Sequence, residues 1–240
     1  MQSATNLGSS TALEGGVPLV LLPGMNCTAD LWSGCGLEGS IMPSLDEPTI
    51  DGQVQALLDT LPPRFALGGL SLGGIVGMAL CRRAPERVTR LCLISTNAKA
   101  PTEMQRKGWR IWRDRLASGA TPADLQHEIL DALLGYSGRP PAAQLAQRVL
   151  RMGSDTGEER LDAQLRMQAS RVDQLSSLRD LKTPLLVISG TADTICPPQY
   201  HREITAAVPM SCLAAVKTGH LAPMQRSEEV GWLVKSWLGS

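Results

Sequence analysis

Five short apolar runs, separated by stretches of helical spacing, set the tightest limit on how this chain folds. Val17–Leu22, Arg64–Leu70, Val88–Ser95, Pro184–Ser189 and Ser211–Val216 have the length and flanking turn residues of strands, and Val17–Leu22 and Val88–Ser95 read as buried ones. Between them, apolar residues at 50, 54, 57, 58 and 61 predict a helix that Pro62 and Pro63 stop. Leu72–Ala84 predicts a second, rich in small residues, and residues 198–208 and 227–238 two more. Ser40–Pro43 reads as a weaker strand. Such alternation predicts an α/β fold with a mostly parallel sheet covered on both faces. It breaks between Pro101 and Leu181, where only helical stretches occur, at 104–116, 123–134, 142–152 and 158–178. The expected organisation is a core made of residues 1–100 and 182–240, with an all-helical block, 101–181, inserted in it.

The chemistry gathers where those strands end. Gly69-Leu70-Ser71-Leu72-Gly73 places a serine between an apolar strand and a small-residue helix. A tight turn there needs flanking glycines, and it lifts the hydroxyl above the sheet at a helix N-terminus that favours developing negative charge. A serine hydroxyl is a weak nucleophile and requires a base. Among three histidines, His127 and His201 fall inside predicted helices and read as surface residues. His220, in Thr218-Gly219-His220-Leu221, follows the last strand at its carboxyl end, where open α/β sheets place ligands. Asp193 follows the fourth apolar run in Gly190-Thr191-Ala192-Asp193 and orients that base, whereas Asp173 and Asp180 precede the strand. The order Ser71, Asp193, His220 is that of a nucleophile-elbow hydrolase. The oxyanion hole is expected from the backbone N–H groups of Leu72 and of Met25, in the Pro23-Gly24-Met25-Asn26 loop after the first strand.

Together, Leu21-Leu22-Pro23-Gly24-Met25, Gly69-Leu70-Ser71-Leu72-Gly73-Gly74, Arg83-Ala84-Pro85-Glu86-Arg87-Val88, Gly190-Thr191-Ala192-Asp193 with Pro197, and Gly219-His220 resemble the small bacterial α/β-hydrolases that carry a helical cap. That family includes carboxylesterases, carrier-protein methyl ester esterases and a menaquinone-pathway lyase. The resemblance implies the α/β-hydrolase fold and a Ser71–His220–Asp193 triad working through an acyl-enzyme, with no cofactor or metal. Two departures stand out. Pro23-Gly24 replaces the His-Gly common at the oxyanion loop, and only residues 1–16 precede the first strong strand. The leading two strands of the full fold are therefore expected to be absent or degenerate.

The inserted block carries Trp109 and Trp112, and Trp32 follows the oxyanion loop; these are candidate pocket residues for a medium-sized, largely apolar acyl group. Arg110, Arg113 and Arg115 read as a solvated face, because acids balance bases in the block. The whole chain holds 23 basic and 23 acidic residues, so no field gathers nucleic acid or an anionic membrane. No apolar run reaches the ~20 residues of a membrane span. The six cysteines are scattered without Cys-x-x-Cys pairs, which argues against zinc and for reduced thiols filling core or pocket space. No basic-then-apolar leader is present, so a cytoplasmic protein acting on a small ester or acyl compound is expected. The pattern leaves open whether the triad serves hydrolysis, acyl transfer, C–C cleavage or a lyase reaction, or belongs to a non-catalytic receptor. It says nothing of oligomeric state.

Overall fold

The computed structural model describes residues 16–135 and 142–239. Five strands, β1 (Leu19–Leu22), β2 (Phe65–Leu70), β3 (Val88–Ile94), β4 (Leu185–Gly190) and β5 (Ser211–Val216), form one parallel sheet in the order of the chain. Helices α1 (Ile50–Thr60) and α2 (Leu72–Arg83) precede and follow β2. After β3 come α3 (Glu103–Ala117), α4 (Pro122–Glu128), α5 (Leu130–Leu134), α6 (Ala143–Thr156) and α7 (Glu158–Ser170). Then α8 (Pro198–Ala207) links β4 to β5, and α9 (Ala222–Gln225) and α10 (Ser227–Leu238) close the chain.

Strand side chains alternate between two cores, as the two-residue period of a pleated strand requires. Val20, Leu22, Leu67, Leu91, Leu93 and Val187 face the cluster that buries α1, α2 and α8. Leu19, Leu21, Cys92, Ile94, Leu186 and Ile188 face the opposite cluster, which holds Val230 and Val234 of α10. Both faces are apolar, and this is why the runs read as continuous rather than alternating. A third, smaller cluster of Leu116, Leu125, Leu161 and Leu165 lies wholly within the helices between β3 and β4. Those helices thus carry a core of their own.

Three sequence expectations shift. Ser40–Pro43 shrinks to one pairing: Ile41 lies against Val20, donating to Leu19 O (2.8 Å) and accepting from Leu21 N (2.9 Å). Pro43 has no N–H to carry the ladder further. The helix expected over 123–134 divides into α4 and α5 at Ile129, whose ψ of 11° ends the first segment. The helix expected over 158–178 stops at Ser170. Beyond it, Gln174 donates its N–H to Ala98 O (2.7 Å) and its side-chain amide to Ile75 O (3.1 Å), two core carbonyls that pull the chain out of the helix. Residues 1–15, where leading strands are expected to be missing or degenerate, lie outside the described residues; within those residues the sheet begins at β1. Among the described residues no helix is long and apolar enough to cross a membrane.

Candidate active site

Ser71 stands between the last residue of β2 and the first of α2 with φ 52° and ψ −111°, a backbone conformation that side chains disfavour. It is held there on both sides. Its N–H donates to Ile94 O (2.9 Å), and its carbonyl accepts from Thr96 Oγ1 (2.7 Å). The turn is so tight that a Cβ on Gly69 would come 2.4 Å from Gly73 O, and one on Gly73 2.5 Å from Leu22 O. Glycine is the one residue that fits either position. Leu72 begins α2, so its N–H has no acceptor within that helix.

Asp193 and His220 come from the loops after β4 and β5 and are both buried. Asp193 Oδ1 accepts from Ile195 N and Cys196 N, each at 2.9 Å, and Asp193 Oδ2 lies 2.8 Å from His220 Nδ1. A carboxylate only accepts, so the Nδ1 proton belongs to the imidazole, and in the neutral ring Nε2 is left as a base. The His220 N–H donates to Leu133 O of α5 (2.8 Å), so the inserted helices hold the histidine loop.

Ser71, His220, Met25, Leu70 and Ile75 line one cavity of about 140 Å³, completed from the inserted block by Gln105, Trp109, Ile129, Leu133 and Arg171. The sequence-predicted residues Ser71, Asp193 and His220 are therefore brought together, and Met25 and Trp109 join them. Trp32 and Trp112 are not at this cavity. Trp32 is buried in the cluster that also holds Val230 and Val234 of α10, and Trp112 packs, half-buried, against the helices' own cluster. A roomier groove of 610 Å³, lined by Arg64, Glu86, Asp180 and Lys182, lies at the amino-terminal ends of β2, β3 and β4, opposite the loops that carry the chemistry.

His201 is a correction. Expected on the surface, it is fully buried on the inner face of α8. Its Nε2 accepts from Thr96 N (3.0 Å), and its Nδ1 lies 2.7 Å from Ser189 Oγ. Burial pushes its pKa down to about 4 against a weaker upward pull from Asp193. His201 thereby holds Thr96, whose hydroxyl in turn holds Ser71. His127 is exposed on α4 as expected.

Sequence reasoning also missed a buried amide network behind Met25. Asn26, at φ 57°, donates its N–H to Gln164 Oε1 (2.8 Å) and its side-chain amide to Gln126 Oε1 (2.9 Å) and Pro122 O (2.9 Å). Gln164 Nε2 goes on to Leu45 O (3.0 Å). The loop after β1 is thus tied to α4 and α7. The signal in the sequence is slight: uncharged amides on the inner stripe of helices otherwise full of charge. Cys27 and Cys196 line the cavity, and burial pushes both thiols up to about 12. Among the described residues no group of three His, Cys, Asp or Glu side chains is arranged to hold a metal.

A sheet of parallel strands with a serine elbow after one strand, and an acid and a histidine on loops after the last two, defines a class, and comparison agrees. The α/β hydrolase fold family matches residues 32–227, and the chain belongs to it. The pimeloyl-acyl-carrier-protein methyl ester esterase of Nitrosospira multiformis is 28% identical over 62% of this chain and 58% of its own length. The pyrrolizixenacetamide deacetylase of Xenorhabdus hominickii is 26% identical over 86% of this chain and 78% of its own. A thermophilic esterase from Thermogutta terrifontis, solved with malate bound, superposes with a TM-score of 0.82 over 93% of this chain and 89% of its own, at 23% identity.

Proposed function

We propose that this protein is a serine hydrolase that cleaves a carboxylic ester or thioester with a medium-sized, mainly apolar acyl group through an acyl-enzyme. One observation carries the reading: the buried His220–Asp193 hydrogen bond of 2.8 Å at a cavity that Ser71 also lines. Ser71 Oγ attacks the carbonyl carbon while His220 Nε2 takes its proton. The backbone N–H groups of Met25 and Leu72 receive the oxyanion. Collapse of the tetrahedral intermediate breaks the ester bond, and His220 returns the proton to the departing alcohol or thiol. Water, deprotonated by His220, then releases the acid and restores Ser71. Asp193 fixes the ring and stabilises the imidazolium. Residues 101–181 serve as a cap over a core of residues 1–100 and 182–240, and the apolar groups that Ile129, Leu133 and Trp109 add to the cavity set acyl size. The esterase and deacetylase activities of the relatives fit this chemistry.

A fluorophosphonate probe followed by peptide mapping tests it. Ser71 is expected to be the labelled residue, with Ser71→Ala and His220→Ala each lowering kcat on a p-nitrophenyl ester by ~10³-fold or more. Labelling elsewhere, or an active Ser71→Ala protein, refutes the assignment. An unlabelled Ser71 combined with full ligand binding by Ser71→Ala makes the protein a receptor instead.

A further inference from the structure

Between β3 and β4 most arginines lie toward the surface, and several answer a carboxylate. Arg110 pairs with Glu103, Arg113 and Arg166 with Asp162, Arg148 with Asp30 and Arg160 with Asp46. Each of these lies at the surface or half-buried. Arg171 is 5% exposed, and among the described residues it has no carboxylate partner. Arg106 and Arg151 likewise form no ion pair among the described residues, but neither is buried as Arg171 is. Arg171 lines the cavity that holds Ser71 and His220.

The guanidinium has five N–H donors. One Nη1 donor reaches Gln168 Oε1 (2.7 Å), one Nη2 donor reaches Gln105 Oε1 (3.0 Å), and buried Nε–H has no acceptor. The Trp109 ring lies 5.2 Å away and supports the cation on its face. No acid nearby can answer it. Asp193 has Oδ1 committed to two backbone N–H groups and Oδ2 to His220. Arg106, whose charge also acts on Arg171, is a second cation, turned to Ala169 O. Burial, with a smaller push from Arg106, holds the Arg171 pKa below its usual value. Neutral amide oxygens compensate a buried charge poorly, so a fork of this kind is left ready for an anion that arrives from outside.

We infer that Arg171 receives a free carboxylate at the other end of the acyl group, so that the substrate is a monoester of a short dicarboxylic acid. The inference rests on the serine hydrolase reading for the ester end alone. The ester carbonyl lies at Ser71, and the chain runs past Ile129 and Leu133. The terminal carboxylate docks on Arg171 through the Nη donors that Gln168 and Gln105 leave unused, in a two-pronged contact. A cavity of 140 Å³ corresponds to ~10 water-sized positions, room for a short acyl chain with a charged tip.

Two esters of equal length separate the charge from the chain: monomethyl adipate and methyl hexanoate, followed by acid release in a pH-stat. The native enzyme is expected to favour monomethyl adipate at least ~10-fold in kcat/KM, chiefly through KM. Arg171→Met should lose ~10- to 100-fold on that ester and stay within ~3-fold on methyl hexanoate. Equal losses on both esters, or no preference in the native enzyme, overturn the inference. Should Arg171→Met fail to fold, Arg171→Lys, which keeps the charge without the fork, must show a weakened preference; an undiminished one overturns it. Binding is read without turnover on Ser71→Ala: adipate should raise its melting temperature and 1,6-hexanediol should not. The rise should vanish in Ser71→Ala/Arg171→Met. Adipate stabilisation without turnover of either ester in the native protein means that the hydrolase reading has failed and the anion site stands; turnover without adipate binding means the reverse.

Discussion

A single side chain, His201, couples the serine elbow to pH. Its Nε2 must stay unprotonated to accept from Thr96 N, and its other neighbours are Ser189 Oγ and, at longer range, Asp193, His220 and Arg202. Free histidine titrates near 6.5; buried here, His201 titrates near 4. Between those values the unfolded chain binds a proton that the folded one refuses. The stabilisation is therefore complete above pH ~6.5 and is lost as pH falls toward 4, by about 3 kcal/mol. Urea midpoints at pH 7.0 and 4.5 measure it: His201→Gln should lose much less stability on acidification than the native chain. An equal acid loss in both proteins would assign the effect to other groups. His201 also shows where sequence reading ends. Ser71, Asp193 and His220 were legible because each sits on a strand-end loop in a fixed order. By contrast, His201 lies mid-helix among polar residues, and only the packing of α8 on β4 turns it inward. Arg171 is similar: nothing local distinguishes it from Arg110 or Arg113, and its isolation is created by which acids the fold brings near.

At the scale of elements, the strands were read well and the inserted helices less well, for a physical reason. Strands β1 to β4 are covered on both faces, so burial writes a continuous apolar run into the sequence. Helix α7 ends where Gln174 turns to the distant carbonyls of Ala98 and Ile75, whereas α3 and α6 close on glycines at positive φ, Gly119 and Gly157. Ile129 has no breaker beside it, so the α4–α5 division leaves no local mark in the sequence. The amide network, too, joins segments far apart in the chain. Gln164→Leu would leave Asn26 N–H and Leu45 O, both buried, without that partner. Orphaned groups of this kind cost about 1–3 kcal/mol each. Because Met25 immediately precedes Asn26, the expected result is a loss of stability together with a ~10-fold fall in kcat on a neutral ester, KM changing less. Melting curves and steady-state kinetics on the same preparation read both quantities. A destabilised variant with unaltered kcat would show that the network holds the block and not the oxyanion loop.

For the molecule as a whole, thiol chemistry reports whether the cavity is sealed under its helical cover. Five of the six cysteines are buried, and Cys212, on edge strand β5, is exposed. Burial pushes Cys35 up to about 11 and Cys27 and Cys196 to about 12, and raises Cys81 and Cys92 as well. The thiolate is the reacting species, so at pH 8 a thiol of pKa 12 has ~10³-fold less of it than an ordinary one, before access is considered. Reaction with a disulfide reagent should accordingly show one fast thiol in the native protein and six in denaturant. Cys212→Ser should abolish the fast phase while ester turnover stays unchanged, since residue 212 lies outside the cavity. The two cavity thiols make the experiment sharper. Cys27 and Cys196 both line it, the first on the loop that follows β1 and the second beside Asp193. If the inserted helices swing open in solution, these two should react well ahead of Cys81 and Cys92, and a ligand held in the cavity should slow them selectively. If the cover is closed, all four should react together at the rate of global unfolding, unaffected by ligand except through stability.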